Sequence, residues 1–112
     1  MRSSATRRNL DEEVYERQVG ICKAFANSTR LRLLDLVARR DHSAADLQKQ
    51  LSISKANLSQ HLAILKAAGV VVTRRNGKSV HCHLAIPEVK KACALIRQVL
   101  RAQLRNGSHL SI

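Results

Sequence analysis

Residues Ser54 to Lys66, read as a helix at 100° per residue, divide into two chemically different faces. Leu58, Leu62 and Leu65 fall together and face a core. Ala56, Asn57, Ser59, Gln60 and Ala63 occupy the opposite side. A face made only for solvent is usually rich in Glu and Lys, which support a helix through i,i+4 pairs. This one carries small and amide-bearing side chains instead. Small residues allow close approach to a DNA groove, Gln and Asn can bond adenine bidentately, and Ser serves base or phosphate. Arg74, Arg75 and Lys78 follow shortly after, flanking an Asn-Gly turn, and are suited to gripping phosphates or the minor groove.

A second group of residues has metal or redox chemistry within reach. Cys22, Cys82 and Cys93 are three thiols with no C-x-x-C spacing, which indicates neither a disulfide framework nor a structural zinc site. Free cysteine is also often a small buried hydrophobe. In the stretch Val80-His81-Cys82-His83-Leu84, strand alternation puts both histidines on one face and Cys82 on the other. The histidine pair could ligate zinc, copper or nickel, attract backbone phosphate when protonated, or simply be solvated. His42 with Asp41 and Asp46 forms a further set, expected on the third helix.

The chain that must position these groups has 112 residues, enough for one domain with one modest core. Hydrophobic residues are 45% and aromatics 2%, so the core must be aliphatic, which favours packed helices. A chain this small often buries more surface by dimerising. The net charge is +12 and the pI about 10.9. Between Leu47 and Pro87 there are six basic residues and no Asp or Glu, a positive field suited to nucleic acid or, second, to anionic membrane. No apolar run is long enough to span a bilayer and no secretory signal begins the chain, so a cytoplasmic location with reduced thiols is expected.

Residues 1–9 are basic and without period and are expected to form a disordered arm; residues 108–112 are expected to be a flexible tail. Between them, residues 10–107 are expected to form one winged helix domain for DNA binding and dimerisation. A first helix runs from Leu10 to about Lys23. Asn27 or Ser28 caps a second, with Leu31, Leu34 and Val37/Ala38 as its apolar stripe. Ser43 caps a third, with Asp46 placed as in a capping box. After a short Ser-Ile-Ser turn, Ser54 caps the fourth, which Gly69 stops. The period then changes from 3.6 to 2. Two β-like runs flank Asn76-Gly77, expected to make a type I′ hairpin turn with positive φ at both central residues. Pro87 opens a last helix. The fold class is therefore mainly α with a β-hairpin, in the order α-α-α-α-β-β-α, a winged helix-turn-helix.

The strings "CKAFANSTRLRLLDLV", "SAADLQKQLSISKANLSQHLAILKAAGVV" and "RRNGKSVHCHLA" resemble the ArsR/SmtB family of winged helix-turn-helix repressors over roughly residues 15–100. Ser-Gln-His-Leu at 59–62, Leu-x-x-Ala-Gly at 65–69 and the Arg-x-Gly-Lys wing carry the resemblance together. It implies a homodimer through the first and last helices, bound to an inverted-repeat operator in double-stranded DNA. It implies that Lys55, Asn57, Ser59 and Gln60 contact bases, Ser54 and His61 the DNA backbone, and that Arg74, Arg75 and Lys78 serve the wing. For most members it also implies release from DNA by a metal ion or thiol-reactive signal.

The family's sensory motifs do not transfer. The string that carries Cys-x-Cys in many members reads Asp41-His42-Ser43-Ala44-Ala45-Asp46-Leu47 here. The last-helix metal site falls on Ile86-Pro87-Glu88 and Val99-Leu100-Arg101-Ala102, and the second-helix cysteine of persulfide sensors falls on Asp35. Cys22, Cys93, His81, Cys82 and His83 remain as effector candidates. If the last helix packs near the first across a dimer, Cys93 and the partner's Cys22 could approach and hold arsenite or another thiophilic ion, or oxidise to a disulfide. No cofactor is required. The alternatives are a repressor of this kind with no metal effector, and a winged helix used to bind a protein partner. An enzyme is disfavoured, since there is no Gly-rich phosphate loop, no nucleophile with a placed base and no carboxylate cluster in a plausible cleft.

Overall fold

The computed structural model describes residues 4–107. Its elements are α1 (Ser4–Phe25), α2 (Ser28–Arg39), β1 (His42–Ser43), α3 (Ala44–Leu51), α4 (Lys55–Ala67), β2 (Val71–Asn76), β3 (Ser79–Leu84) and α5 (Glu88–Arg105). The strands form one antiparallel sheet in the order β1-β3-β2.

Local chemistry sets most of the helix ends. The Asn27 side chain accepts from the Arg30 amide at 3.0 Å and starts α2. Ser43 does the same for α3 and Ser54 for α4, each through a bond of 3.0 Å to the amide three residues on. The turn between α3 and α4 is held by Ser52, a left-handed C-cap with φ 53°, and by the Ile53 amide donating back to the Gln48 carbonyl at 3.1 Å. At the other end of α4, Gly69 has φ +75° and turns the chain directly into the hairpin.

The core is aliphatic, as the composition requires. Leu33, Leu34 and Val37 from α2, Leu47 and Leu51 from α3, and Leu58, Leu62 and Leu65 from α4 are buried together. Val70 from the link after α4, Val71 and Cys82 from the sheet, and Val89 from α5 close it. The outer ends of the molecule are different. Val14 and Val19 on α1, and Ile96, Val99 and Leu104 on α5, are exposed. The radius of gyration is 17.2 Å, against about 13 Å expected for a compact chain of this length. The two end helices therefore project from the core and carry unpartnered apolar surface.

Several sequence expectations need correction. The disordered arm over residues 1–9 conflicts with α1, which begins at Ser4. The segment lacks an apolar period, but it also lacks Gly and Pro, so nothing stops the helix from propagating. Met1 to Ser3 and the tail 108–112 lie outside the described residues. In α2 the stripe is shifted: Leu33 is fully buried while Leu31 is 37% exposed. The hairpin turn is centred on Gly77-Lys78, because Asn76 already pairs with Ser79. Positive φ occurs at Gly77 (63°) and not at Lys78, the pattern of a type II′ rather than a type I′ turn. β1 was not expected, since a two-residue strand has no period to detect. It takes His42 out of α3 and pairs it with Cys82.

The burial pattern of α4 gives a direct stability test. Leu65→Ala should lower unfolding free energy by about 2–5 kcal/mol in urea denaturation, through a cavity in the core. Its exposed neighbour, changed as Ile64→Ala, should stay within about 0.5 kcal/mol of the parent.

Candidate nucleic-acid interface

The leucine stripe of α4 fixes what the rest of that helix presents. With Leu58, Leu62 and Leu65 turned inward, Lys55, Ala56, Asn57, Ser59, Gln60 and Ala63 are left exposed on the outer side. The first turn of α4 contains no acidic residue. Its free amides and helix dipole therefore meet an approaching phosphate without carboxylate repulsion. Ser54 is exposed beside them. Its oxygen accepts from the Asn57 amide, which leaves the hydroxyl proton free to donate outward.

His61 sits differently from its neighbours. It is half-buried, and its Nδ1 lies 3.3 Å from the Nη1 of Arg30 on α2. Burial, and then the Arg30 charge, hold its pKa below the ordinary histidine value.

Only Ala68, Gly69 and Val70 separate α4 from β2, so the hairpin is tethered close to the end of the reading helix. Arg74, Arg75 and Lys78 are all exposed near its tip. Arg74 pairs across the ladder with His81 and Arg75 with Val80, so the two guanidinium groups leave the strand on opposite faces. Arg74, Arg75, Asn76, His81, His83 and Asp41 line a cleft beside the wing. His83 is held there by a 2.7 Å bond between its Nδ1 and Asp41.

The thiol and histidine candidates are dispersed. Cys82 is 1% exposed and faces the core, with His81 and His83 turned to the other side, as alternation requires. Burial pushes its thiol up to about 11. Cys93 is half-buried in the cleft between α2 and α5, close to the Arg97–Asp35 ion pair at 2.9 Å. Burial, and then Asp35, raise its pKa. Cys22 is exposed on α1 in a groove with Tyr15, Val19 and Ala26. His42 is buried and bonds Asp46, which keeps the Asp46 carboxyl below its usual pKa and occupies the group expected to complete a capping box. Among the described residues, no three His, Cys, Asp or Glu side chains are grouped to hold a metal ion.

Arg30 escaped the sequence reading. Its side-chain partners come from α1 and α4, which the period of α2 does not encode. An arginine just past the end of one helix and inside the cap of the next was the available signal.

A three-residue turn between two short helices, followed by a basic hairpin, defines a winged helix-turn-helix, a DNA-binding architecture. A family model described as a helix-turn-helix domain matches residues 25–74. The HTH-type transcriptional regulator Rv0081 of Mycobacterium tuberculosis is 34% identical over 90 residues, 80% of this chain and 79% of that protein. Its crystal structure superposes with a TM-score of 0.78 at 33% identity, covering 83% of this chain and 94% of the other. HlyU of Vibrio cholerae, a transcriptional activator, is 36% identical over 72% of this chain and 75% of its own length. The homodimeric winged helix-turn-helix domain of Mb0332 from Mycobacterium bovis, described as a possible ArsR-family regulator, gives a TM-score of 0.74 at 26% identity. It covers 99% of this chain and 97% of that one. This chain belongs to the ArsR family of winged helix-turn-helix transcriptional regulators. It is a DNA-binding regulator rather than an enzyme, and among its described residues no helix is long and apolar enough to cross a membrane.

Two substitutions separate base reading from phosphate gripping. Gln60→Ala should weaken specific DNA binding by roughly 1–3 kcal/mol and relax preference at one base position. Arg75→Ala should weaken binding to all sequences alike and reduce the slope of log K against log salt by about 1. Both are read by fluorescence anisotropy across a salt series.

Proposed function

We propose that the protein is a homodimeric, sequence-specific transcriptional repressor acting on an inverted-repeat operator. The observation that carries this reading is the exposed Lys55, Asn57, Ser59 and Gln60 face of α4, set beside the basic wing. In it, those four residues contact bases, Ser54 and His61 contact phosphates, and Arg74, Arg75 and Lys78 grip the flanking backbone. Relatives of both signs exist: HlyU is an activator, whereas SdpR of Bacillus subtilis and a biofilm growth-associated repressor of Xylella fastidiosa are repressors. A small DNA-binding domain acts most simply by occupying promoter DNA. Dimerisation through α1 and α5 is supported by their unpartnered apolar side chains and by the homodimeric Mb0332 domain.

We also infer that a thiophilic ion or an oxidant releases the repressor through Cys22 and Cys93, which lie on the two projecting helices. A related probable repressor of a mercury resistance operon from Streptomyces lividans fits such chemistry. A second reading, repression without a metal or thiol effector, is favoured by the thiols themselves. Those of Cys82 and Cys93 are both held in the protonated form, a poor ligand and nucleophile.

Anisotropy on a labelled fragment of the protein's own promoter, titrated with arsenite, separates the two. Thiol sensing predicts a large loss of affinity that disappears in a Cys22→Ser, Cys82→Ser, Cys93→Ser variant. Binding that ignores both arsenite and oxidant favours the effector-free repressor. For the dimer, Val99→Glu should move the protein to monomer in sedimentation equilibrium and weaken operator binding by about tenfold or more. An unchanged dimer would exclude the α5 face from the interface.

A further inference from the structure

Arg30 is buried, 9% exposed, on the inner side of the α2 N-terminus. Its Nε donates to the Ala24 carbonyl at 2.7 Å and its Nη2 to the Lys23 carbonyl at 3.1 Å. Both carbonyls belong to the last turn of α1, where helix geometry leaves acceptors without intrahelical donors. The remaining Nη1 reaches the Nδ1 of His61 on α4 at 3.3 Å. One guanidinium group thus joins the end of α1, the start of α2 and the middle of α4.

The chemistry of the third bond is one-sided. A guanidinium group is always charged and can only donate. His61 Nδ1 must therefore offer its lone pair, and the single ring proton sits on Nε2. The lowered pKa of His61 agrees with a neutral ring. Asn57, one helical turn earlier on the same side, is exposed on the reading face.

We propose that Arg30 is a positioning residue for DNA recognition: it locks α4 against the end of α1 and fixes His61 as an Nε2–H donor to the DNA backbone. This rests on the reading of α4 as the recognition helix. Arginine suits the task because its planar fork serves three acceptors at fixed angles. A lysine ammonium is a single point on a flexible stem. The arrangement also links a projecting helix to the reading helix through one buried group, so a displacement of α1 would reach His61 without passing through the leucine core.

Two measurements on the full chain test this. Long-range ¹H–¹⁵N NMR of the free protein should show His61 as the Nε2–H tautomer, with Arg30→Lys moving the ring towards a mixture of tautomers. Anisotropy on promoter DNA should show His61→Gln, whose amide reaches the Nε2 position, within about threefold of the parent. His61→Asn, which can accept from Arg30 but places no donor at the distal position, should lose roughly tenfold. Adding Arg30→Lys to His61→Asn should weaken binding by much less than Arg30→Lys does alone. An Nδ1–H tautomer in the parent, parent-like affinity in His61→Asn, or strictly additive effects would overturn the proposal. If Arg30→Lys does not fold, the tautomer and the Gln–Asn contrast still decide it, because Arg30 is intact in both. A parent protein that binds no promoter DNA, yet keeps the Nε2–H tautomer, would instead overturn the recognition role of α4.

Discussion

Burial of the Leu58, Leu62 and Leu65 stripe is the interaction on which the rest of the molecule depends. It joins α4 to α2 and α3 in a single aliphatic core, and by filling one side of the helix it decides what the other side shows. Among the described residues, the Asn57, Ser59 and Gln60 side chains outside make no hydrogen bond within the protein. They are free for a groove because three leucines hold the helix still. The short turn at Ser52, the serine caps and the Gly69 link all serve to hold that helix at a fixed place between its neighbours.

Electrostatics is layered on this frame. The stretch from Leu47 to Pro87 contains no Asp or Glu, so the reading face and the wing share one sign of potential. The carboxylates that lie nearby are engaged by partners: Asp41 by His83, Asp46 by His42, and Asp35 by Arg97. That arrangement limits their repulsion of phosphate while using them to tie the residue before β1 to the wing strand, β1 to α3, and α2 to α5. The cysteines follow a different logic. Cys82 is a packing residue of the sheet, and Cys93 shares its cleft with an ion pair, whereas Cys22 stands in the apolar groove of a helix that projects from the core.

Much of this was legible in the sequence because it follows from period and local caps. The leucine spacing in α4, the serines at 43 and 54, the change to strand period after Gly69 and the alternation of His81, Cys82 and His83 are local patterns. What escaped depends on tertiary partners. β1 exists because β3 offers it an edge, not because two residues prefer a strand. Leu33 replaces Leu31 in the core because the orientation of α2 is set by α3 and the sheet. The turn type changed because the ladder closes through Asn76 and Ser79, which moves the glycine to the first central position. Arg30 is buried only because two other helices bring acceptors to it. The relation of Cys22 to Cys93 depends on how two copies meet, which spacing within one chain does not encode.

In the proposed function, the reading helix recognises a particular DNA sequence twice, once per protomer. A hydroxyl-radical footprint of the protein on its own upstream region tests that claim most directly. Two protected patches are expected on one face of the duplex, with centres about 10 base pairs apart or a multiple of that, and both should need more protein to appear in Gln60→Ala. Uniform weak protection along the fragment, equal to that on unrelated DNA, would contradict it.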